Sequence, residues 1–545
     1  MDTAKGENKS PHNHNKDDAT EDKFRLYATI AFMTVVIIIG VPMWWKSTEV
    51  YRVSLPSSDI MELSDKPLKI KIKVGIFNVK NERAALLINE LKEEYSTSDI
   101  WNLEFLHKTN FEKANTIRTP AALESLLLKD ADLREGDFAF IEWPKLQEEV
   151  LITNERTALI RSDTTSKKLK QVLNTYILQT HRIKQILAKE QRDALKTEAP
   201  QAEYDVTVSV LNPRPDIMDA KWHVQMAVET YLKPYLDQVS HISNYTLTTQ
   251  WKYQLAFEAD LRQVRDNSLM GRHYALSESS LPHIITAIEK NLGSGITDKT
   301  PLNLIVYITP CDIAPVYIYN KRNQRASADN ISAFISPKWG GIIIANPSME
   351  TCREYNDKPS QRVSFFVQTN DVMQIMLHQL QKLLDISVEV HAEGVKTVAV
   401  EQLAPRLWEY ESYLRRSAVT HITTTTNTLQ SLIKLLDNIS YIVINDDVGK
   451  AINSAYELII KAKEALANHQ LMRASELAQQ AFLASEQAFF DASLLAQLYF
   501  PDEQKYAIYI PLFLPIMVPV VTSFSMMVTL LKKQREGRQS KLKTT

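Results

Sequence analysis

An uncharged apolar run near the C-terminal end constrains this chain more than any other feature of its sequence. The run, AIYIPLFLPIMVPVVTSFSMMVTLL, occupies residues 507–531 and contains no charged residue. As a helix rising about 1.5 Å per residue it would be roughly 37 Å long, which is more than the hydrocarbon core of a bilayer, about 30 Å. A helix in a soluble core would normally be interrupted by polar residues at a 3.6 period. The run therefore predicts a transmembrane helix over 507–531.

A second apolar run lies near the start of the chain. LYATIAFMTVVIIIGVPMWW ends in Trp44 and Trp45 rather than in a small-residue cleavage site, and it is longer than the apolar region of a typical signal peptide. Tryptophan is common where a helix leaves the membrane. The run predicts an uncleaved transmembrane helix over 24–45.

Basic residues flank the two runs unequally. Lys9, Lys16, Lys23 and Arg25 precede the first run, and Lys46 and Arg52 follow it. Lys505 precedes the second run, and six Lys or Arg residues follow it within 532–545. Because Lys and Arg favour the cytosolic side, the excess of basic residues before the first run and after the second predicts cytosolic tails over 1–23 and 532–545. Residues 46–506 are then expected in the lumen of the endoplasmic reticulum.

One more stretch, Leu302 to Tyr319, is mostly apolar. Pro310, Asp312 and Pro315 interrupt it, and a third span would place the basic tail on the wrong side of the membrane. Two strands around a proline-rich turn are the better interpretation.

Short motifs agree with this location. Asn244, Asn330 and Asn438 each begin an N-glycosylation acceptor inside the predicted lumenal region, whereas Asn8 lies in the predicted cytosolic tail and should stay unmodified. Lys541 and Lys543 resemble the dilysine pattern that returns membrane proteins to the endoplasmic reticulum.

Composition limits the classes of function. The chain has 545 residues, of which 44% are hydrophobic and 23% are charged, with a formal net charge of −2. That balance argues against nucleic acid as the main partner, since phosphate binding needs an excess of basic residues. Cys311 and Cys352 are the two cysteines, so the chain is not a disulfide-rich scaffold. A single disulfide and two free buried thiols are both compatible with the sequence.

Alternating segments predict two α/β lobes, 46–200 and 201–395, in which mixed sheets are covered by helices, followed by a helical module over 396–506. In the first lobe the predicted strands are 68–79, 101–106, 138–143 and 151–160, and the predicted helices are 81–95, 120–129 and 162–195, the last capped by Ser162 or Asp163. In the second lobe the predicted strands are 204–213, 245–258, 302–308, 337–345 and 362–368. Its predicted helices are one capped by Asp219 and ending at Val239, one over 281–292, and one from Asn370 or Asp371 to Leu384. The module is predicted to contain helices over 419–436, 447–468 and 471–497.

The sequence offers little catalytic chemistry. It contains no G-x-S-x-G elbow, Walker A loop, G-x-G-x-x-G after a strand, or H-E-x-x-H helix. Cys311 could act as a thiol nucleophile with His283 or His378, but the prolines on either side favour a structural or disulfide cysteine. His378 falls on an amphipathic helix and is interpreted as a packing residue, and the DAD triplet at 130–132 as a solvated helix end. No catalytic residue, metal site or cofactor is predicted.

Three prolines mark the second predicted span. Pro511, Pro515 and Pro519 recur every four residues, which places them on nearly one face of a helix. Each removes a backbone donor and crowds the carbonyl four residues earlier, so the first half of this helix should be bent or irregular. We expect this face to contact another membrane subunit or to line a lipid-facing groove. The alternative is a tolerated curve in a helix that simply begins at Pro511.

Seven segments form an ordered series along the chain: YRVSLP (51–56), SVLNP (209–213), SLPHII (280–285), SPKWGGI (336–342), TTTTNTLQSL (423–432), VINDDV (443–448) and AFFDASLLAQLYFPDEQKYAIYIPLFLP (488–515). This series resembles the PIG-S family of glycosylphosphatidylinositol (GPI) transamidase subunits. Residues 60–200 carry the weakest resemblance.

The resemblance implies a non-catalytic subunit of an endoplasmic reticulum membrane complex. That complex removes a C-terminal signal from precursor proteins and joins the new carboxyl end to a GPI lipid. The resemblance implies that cleavage belongs to PIG-K, and that PIG-T, PIG-U and the GPI attachment protein complete the assembly, with GPI lipid or precursor as further contacts. Two other hypotheses stay open: a membrane-tethered lumenal enzyme acting on a glycan or lipid, and a binding module that selects precursors.

Overall fold

The chain divides into two compact units in a computed structural model. One unit comprises Met1–Leu55, Leu432–Lys450 and Gln487–Thr545, and the other comprises Pro56–Ser431 and Ala451–Glu486. The structure describes residues 21, 24, 26–40, 42–43, 46, 51–108, 119, 122, 124–125, 133–188, 201, 203–257, 259–265, 272–292, 297–326, 331–357, 362–386, 392–398, 405–439, 442–494 and 502–542.

The first lobe of the larger unit is built on a mixed sheet. Its described strands are β1 (Ile70–Phe77), β2 (Trp101–Lys108), β3 (Phe138–Glu142), β4 (Val150–Ile152), β5 (Thr157–Ile160) and β16 (Val395–Thr397). Among the described residues their order is β16-β4-β5-β3-β1-β2, and only the β4–β5 pair is antiparallel. The predicted strand over 151–160 is therefore two strands joined by a turn. Because β16 pairs with β4, the chain returns to this sheet after completing the second lobe.

Helices α1 (Ser57–Met61), α2 (Asn81–Ser96), α3 (Ser166–Val172) and α4 (Thr180–Leu187) belong to this lobe. The helix predicted over 162–195 is wrong in its start and its continuity. Thr165 is the residue before α3, a π-helical turn occupies Leu173–Ile177, and Gln179 adopts a φ of 46°. A left-handed residue cannot continue an α-helix, so the segment breaks before α4. Most of the helix predicted over 120–129 lies outside the described residues.

The second lobe is built on another sheet. Its described strands are β6 (Glu203–Asn212), β8 (Asn244–Tyr253), β11 (Thr300–Ile308), β13 (Ser332–Ser336) and β14 (Gly340–Ala345). Within the described part of the chain their order is β13-β14-β11-β6-β8, with an antiparallel β13–β14 pair and parallel pairs elsewhere. β11 and β14 are almost wholly buried and rich in Ile and Val, as expected for central strands covered on both faces.

Short strands extend this lobe. They are β7 (Met218–Lys221), β9 (Arg262–Arg265), β10 (Arg272–Ser277), β12 (Val316–Tyr319) and β15 (Val363–Phe366). Of the described strands, β12, β10 and β9 form one small sheet, and β15 pairs with β7. The stretch 302–319 therefore contains two strands, as expected, but they belong to different sheets.

Helices α5 (Val224–Val239), α6 (Leu281–Glu289), α7 (Met349–Asp357) and α8 (Thr369–Leu383) accompany these sheets. The prediction that Asp219 caps α5 is wrong. Asp219 lies within β7 opposite Ser364 of β15, and the residue before the helix is His223. Pairing with the distant strand β15 therefore places Asp219 in a strand, although the local sequence predicts a helix start there.

The C-terminal part of the chain is helical, as predicted. It contains α9 (Leu407–Asn438), α10 (Asp446–Ala467), α11 (Leu471–Phe489) and α12 (Asp502–Leu542). α9 begins twelve residues earlier than expected, and α11 ends before the predicted Gln497. The residues before Val419 include Glu409, Glu411 and Arg415, whose charges obscure the helical period although all three are buried.

The smaller unit contains a short backbone pairing that joins distant parts of the sequence. Arg52 pairs with Ile444 in a parallel bridge, with hydrogen bonds from Val53 N to Ile444 O (3.2 Å) and from Ile444 N to Tyr51 O (3.1 Å). The Tyr51 hydroxyl also donates to Asp446 Oδ1 at 2.8 Å. These bonds fasten the segment after the first apolar run to the turn between α9 and α10.

The predicted spans are not confirmed by this structure. A π-helical turn occupies Val36–Gly40, and the run over 507–531 lies inside α12. Across the residues that the structure describes, no helix combines the length and apolar character needed to cross a membrane.

Candidate functional site

Helix α9 carries a row of polar side chains through the interior of the larger unit. Trp408, Glu411, Ser412 and Arg415 are each less than 5% exposed. The Trp408 indole donates to Thr153 O at 2.9 Å, and Ser412 Oγ donates to Ile177 O at 2.9 Å. Buried polar groups are costly unless they are hydrogen-bonded. These bonds therefore specify how the helix seats against the first lobe.

Two of these side chains are ionisable. Arg415 donates to Ile177 O at 2.7 Å and to Gly136 O at 2.8 Å, and burial lowers its pKa to about 10. Glu411 accepts from Arg156 Nε at 2.6 Å. Burial raises the pKa of Glu411, and the neighbouring Arg156 opposes that rise. These buried charges on α9 are each bonded to the first lobe, so this part of α9 is held against that lobe and is not a solvent-exposed helix.

A cleft of about 950 Å³ lies beside this helix, between the two lobes. α4, β6, the β13–β14 turn, α8 and α9 all contribute to its walls. Its polar lining includes Arg182, Gln201, Lys338, His378, Lys382, Asp385 and Arg416, and its apolar lining includes Tyr204, Phe334 and Ile335.

Asp385 bridges the two sides of the cleft. Arg182 Nη1 lies 3.1 Å from Asp385 Oδ1, and Arg416 Nη2 lies 3.0 Å from Asp385 Oδ2. Asp385 itself adopts a φ of 54° just after α8. The pairing links α4 of the first lobe to α8 of the second through one carboxylate.

The structure joins Cys311 to Cys352, with 5.2 Å between their Cα atoms and a sequence separation of 41. In this state neither sulfur is a free thiol nucleophile. His283 lies on the exposed surface of α6, and His378 is exposed at the cleft rather than packed in the core. In the described ranges, no group of three His, Cys, Asp or Glu residues could hold a metal ion.

One buried histidine sits against a carboxylate. His469 Nε2 contacts Asp137 Oδ1, and Asp137 also accepts from Lys73 N and Arg134 N, both at 2.7 Å. His469 adopts a φ of 67° at the turn between α10 and α11. These contacts fix that turn to the first lobe. The two residues are 332 positions apart in the chain, so no local sequence pattern predicts this pair.

The predicted modification and membrane residues are scattered. Asn244 is exposed at the start of β8 and Asn438 is exposed at the end of α9, whereas Asn330 and Asn8 lie outside the described residues. Pro511, Pro515 and Pro519 are exposed within the continuous helix α12. Lys541 lies in the last turn of α12, and Lys543 is not among the described residues.

The cleft and the polar helix were missed by sequence reasoning. The available signal was the run of Thr, Arg and Glu on a segment that also carries Tyr410, Tyr413 and Leu414 at the i, i+3, i+4 spacing of one helix face. Such a mixture resembles a solvated helix, and only burial distinguishes the two. The described residues define a class of protein: an α/β framework of two lobes, each built on one large sheet, joined through a buried polar helix and separated by a cleft.

Comparisons with known proteins give the family. Residues 31–534 match the family described as PIG-S, phosphatidylinositol-glycan biosynthesis class S protein. The chain belongs to the PIG-S family.

Named relatives agree with this assignment. The GPI-anchor transamidase component PIGS of Bos taurus is 31% identical over 534 residues, covering 91% of this chain and 93% of the relative. The Homo sapiens protein of the same name shows the same identity and coverage. The GPI transamidase component PIG-S homolog of Schizosaccharomyces pombe is 23% identical over 503 residues, covering 90% of this chain and 82% of the relative.

Proposed function

We propose that the chain is a non-catalytic structural and assembly subunit of the endoplasmic reticulum GPI transamidase, which attaches GPI anchors to the C-terminus of precursor proteins. The family match over 31–534 carries this proposal, because it extends from the first apolar run through the second. Relatives in mammals and fission yeast bear the name of a transamidase component.

The state of the cysteines supports a framework role in an oxidising compartment. A disulfide between Cys311 and Cys352 removes the thiol nucleophile considered from sequence, and disulfides persist mainly in secretory compartments. The exposed acceptors Asn244 and Asn438 are placed where a glycan can be attached.

The proposed topology is two-pass. Helices over 24–45 and 507–531 would hold residues 46–506 in the lumen, with both termini cytosolic. A framework tethered to the membrane at both ends is already oriented toward partners in the same bilayer, which reduces the entropic cost of assembly. The proposed partners are PIG-K, PIG-T, PIG-U and the GPI attachment protein.

The face of Pro511, Pro515 and Pro519 is proposed to contact one of these subunits within the membrane. All three prolines are exposed on α12, which is what a contact face requires. Replacing all three by Leu is expected to lower recovery of membrane partners while the chain still inserts. Normal assembly of the triple variant would reject the contact.

Affinity purification of the tagged full-length chain in mild detergent tests the function. We expect the transamidase subunits to be recovered together, and we expect cells lacking this chain to lose GPI attachment and to regain it on re-expression. Recovery of the chain alone, with turnover of its own on a glycan or lipid, would instead support a membrane-tethered lumenal enzyme.

A further inference from the structure

Strand β8 forms a long edge of the second lobe's sheet. It spans ten residues, Asn244–Tyr253, and pairs along its whole length with β6. Among the described residues, no strand pairs with its other side. An edge of this kind presents a row of unpaired backbone N–H and C=O groups.

The hydrogen-bond pattern identifies which backbone groups point outward. Gln254 N donates to Asn212 O at 3.0 Å, and Asn212 is the register partner of Tyr253. In a parallel pair of strands, the N–H and C=O of a bonded residue pair with the two residues on either side of its register partner. The N–H and C=O of the next residue along the strand point to the opposite side. Even-numbered residues of β8 therefore bond β6. The N–H groups of the odd-numbered residues, including Leu247 and Thr249, point away from the sheet.

The two faces of β8 differ in chemistry. Tyr245, Leu247 and Trp251 share one face with buried Val206 and its neighbours in β6. The opposite face is polar: Thr248 Oγ1 lies 3.0 Å from Thr207 Oγ1, and Gln250 Nε2 donates to Ser209 Oγ at 2.8 Å. A strand added beside β8 would need apolar side chains on the first face and polar ones on the second.

Apart from one lysine, the edge lacks the features that usually prevent strand addition. β8 contains no proline, its register with β6 shows no bulge, and Lys252 is its one charged residue. In the part of the chain that the structure describes, no carboxylate lies within ion-pair distance of Lys252. β8 carries no acidic residue, so a second copy paired edge to edge would offer Lys252 no carboxylate from its own β8.

We propose that the outer edge of β8 accepts an extended strand from another subunit of the transamidase complex. The partner strand alternates apolar and polar residues and places an acidic side chain beside Lys252. Main-chain hydrogen bonds supply the affinity in this mode of recognition, and the alternating side chains supply its specificity. This inference rests on the proposed function, because it requires a partner subunit.

Asn244 is compatible with this arrangement. Side chains project from a strand perpendicular to the sheet, so a glycan on Asn244 would extend from the polar face at one end of β8. The outward backbone groups from Leu247 onward stay accessible.

Replacing Thr249 tests the edge, because its side chain is exposed and its N–H points outward. Thr249→Pro removes one outward donor and leaves the bonds from β8 to β6 in place, whereas Thr249→Ala keeps the donor. We expect the proline variant to recover about tenfold less of the partner subunits in mild detergent, which corresponds to about 1.4 kcal/mol and to roughly one lost hydrogen bond. The alanine variant should match wild type.

A second measurement separates a lost contact from a damaged fold. A photo-crosslinking residue at position 249 should capture a transamidase subunit, whereas the same residue at exposed Leu86 on α2 should not. Wild-type recovery by the proline variant together with no crosslink from 249 would overturn the inference. Crosslinks between two differently tagged copies of this chain would overturn it as well, in favour of self-association. Failure of the wild-type chain to recover any partner would instead reject the proposed function.

Discussion

At the scale of single residues, the buried ion pair of α9 has a definite pH signature. Burial raises the pKa of Glu411 above its ordinary value near 4.5, so the folded chain holds this proton more tightly than the unfolded chain. The contribution of protonated Glu411 to the free energy of unfolding is fully present below the pKa that Glu411 has in the unfolded chain. This contribution is lost as pH rises through the higher pKa that Glu411 has in the folded chain.

Glu411→Gln should remove this dependence. Relative to the variant, the wild-type chain is expected to lose stability as pH rises from about 4.5 toward neutrality. Urea unfolding of the full chain in detergent, compared between the two proteins from pH 4.5 to 7.5, measures the difference. Asp163→Asn is the matched control: Arg161 lowers the pKa of Asp163 below its ordinary value of 3.8, so the difference between this variant and wild type should not change from pH 4.5 to 7.5. A difference between wild type and Glu411→Gln that does not change with pH would contradict the assignment.

The disulfide gives a second prediction at this scale. Cys311→Ala should lower the free energy of unfolding by about 2–4 kcal/mol, because the bond closes a long loop of the unfolded chain. GPI attachment per assembled complex should stay almost unchanged. Cys352→Ala and the double variant should match the single variant, since all three remove the same bond. Abolished transfer with normal assembly would show that the sulfur takes part in chemistry.

At the scale of elements, the β13–β14 turn depends on glycine. Gly340 has a φ of 152°, and a Cβ at this position would lie 1.9 Å from Asn303 O in the neighbouring strand β11. Neither the backbone conformation nor the contact allows a side chain. At Gly341 an added Cβ would instead meet the Gln379 side chain at 2.5 Å, and that side chain can move.

Gly340→Ala should therefore destabilise the second lobe by at least about 3 kcal/mol. Gly341→Ala should cost about 1–2 kcal/mol, because Gln379 can shift at the expense of its hydrogen bonds to Phe334 O and Ile342 O. Resistance of the full chain to limited proteolysis, followed together with expression level, ranks the two variants. Equal behaviour of the two variants would show that the contact with β11 relaxes easily.

At the scale of the whole molecule, the proposed topology separates the accessible ends from a protected middle. Protease added to sealed microsomes should remove tags from both termini and leave residues 46–506 intact until detergent is added. Asn244→Gln and Asn438→Gln should each remove one glycan-dependent shift in electrophoretic mobility, whereas Asn8→Gln should remove none. A terminal tag that survives the protease in sealed vesicles would refute the two-pass arrangement.

The local sequence predicted the position of a strand or helix well where the hydrophobic pattern of that segment is regular. Hydrophobic alternation and helical periodicity located β1, α2, β6 and β11 to within a few residues. The prolines around Cys311 and the strand character before it favour a structural or disulfide cysteine, and the structure joins it to Cys352. The ordered family segments led to the same family as the comparisons.

By itself, then, the sequence determined the α/β sheets followed by a helical region, many of the elements and the family, because these follow from patterns within short segments. Tertiary structure alone decided that Asp219 joins a strand, that 395–397 returns to the first sheet, that the helix after Thr165 breaks, and that the charges of α9 are buried beside a cleft. Each of these outcomes depends on a contact between residues far apart in the chain or on a backbone conformation held by such contacts. Periodicity within one segment carries no information about them.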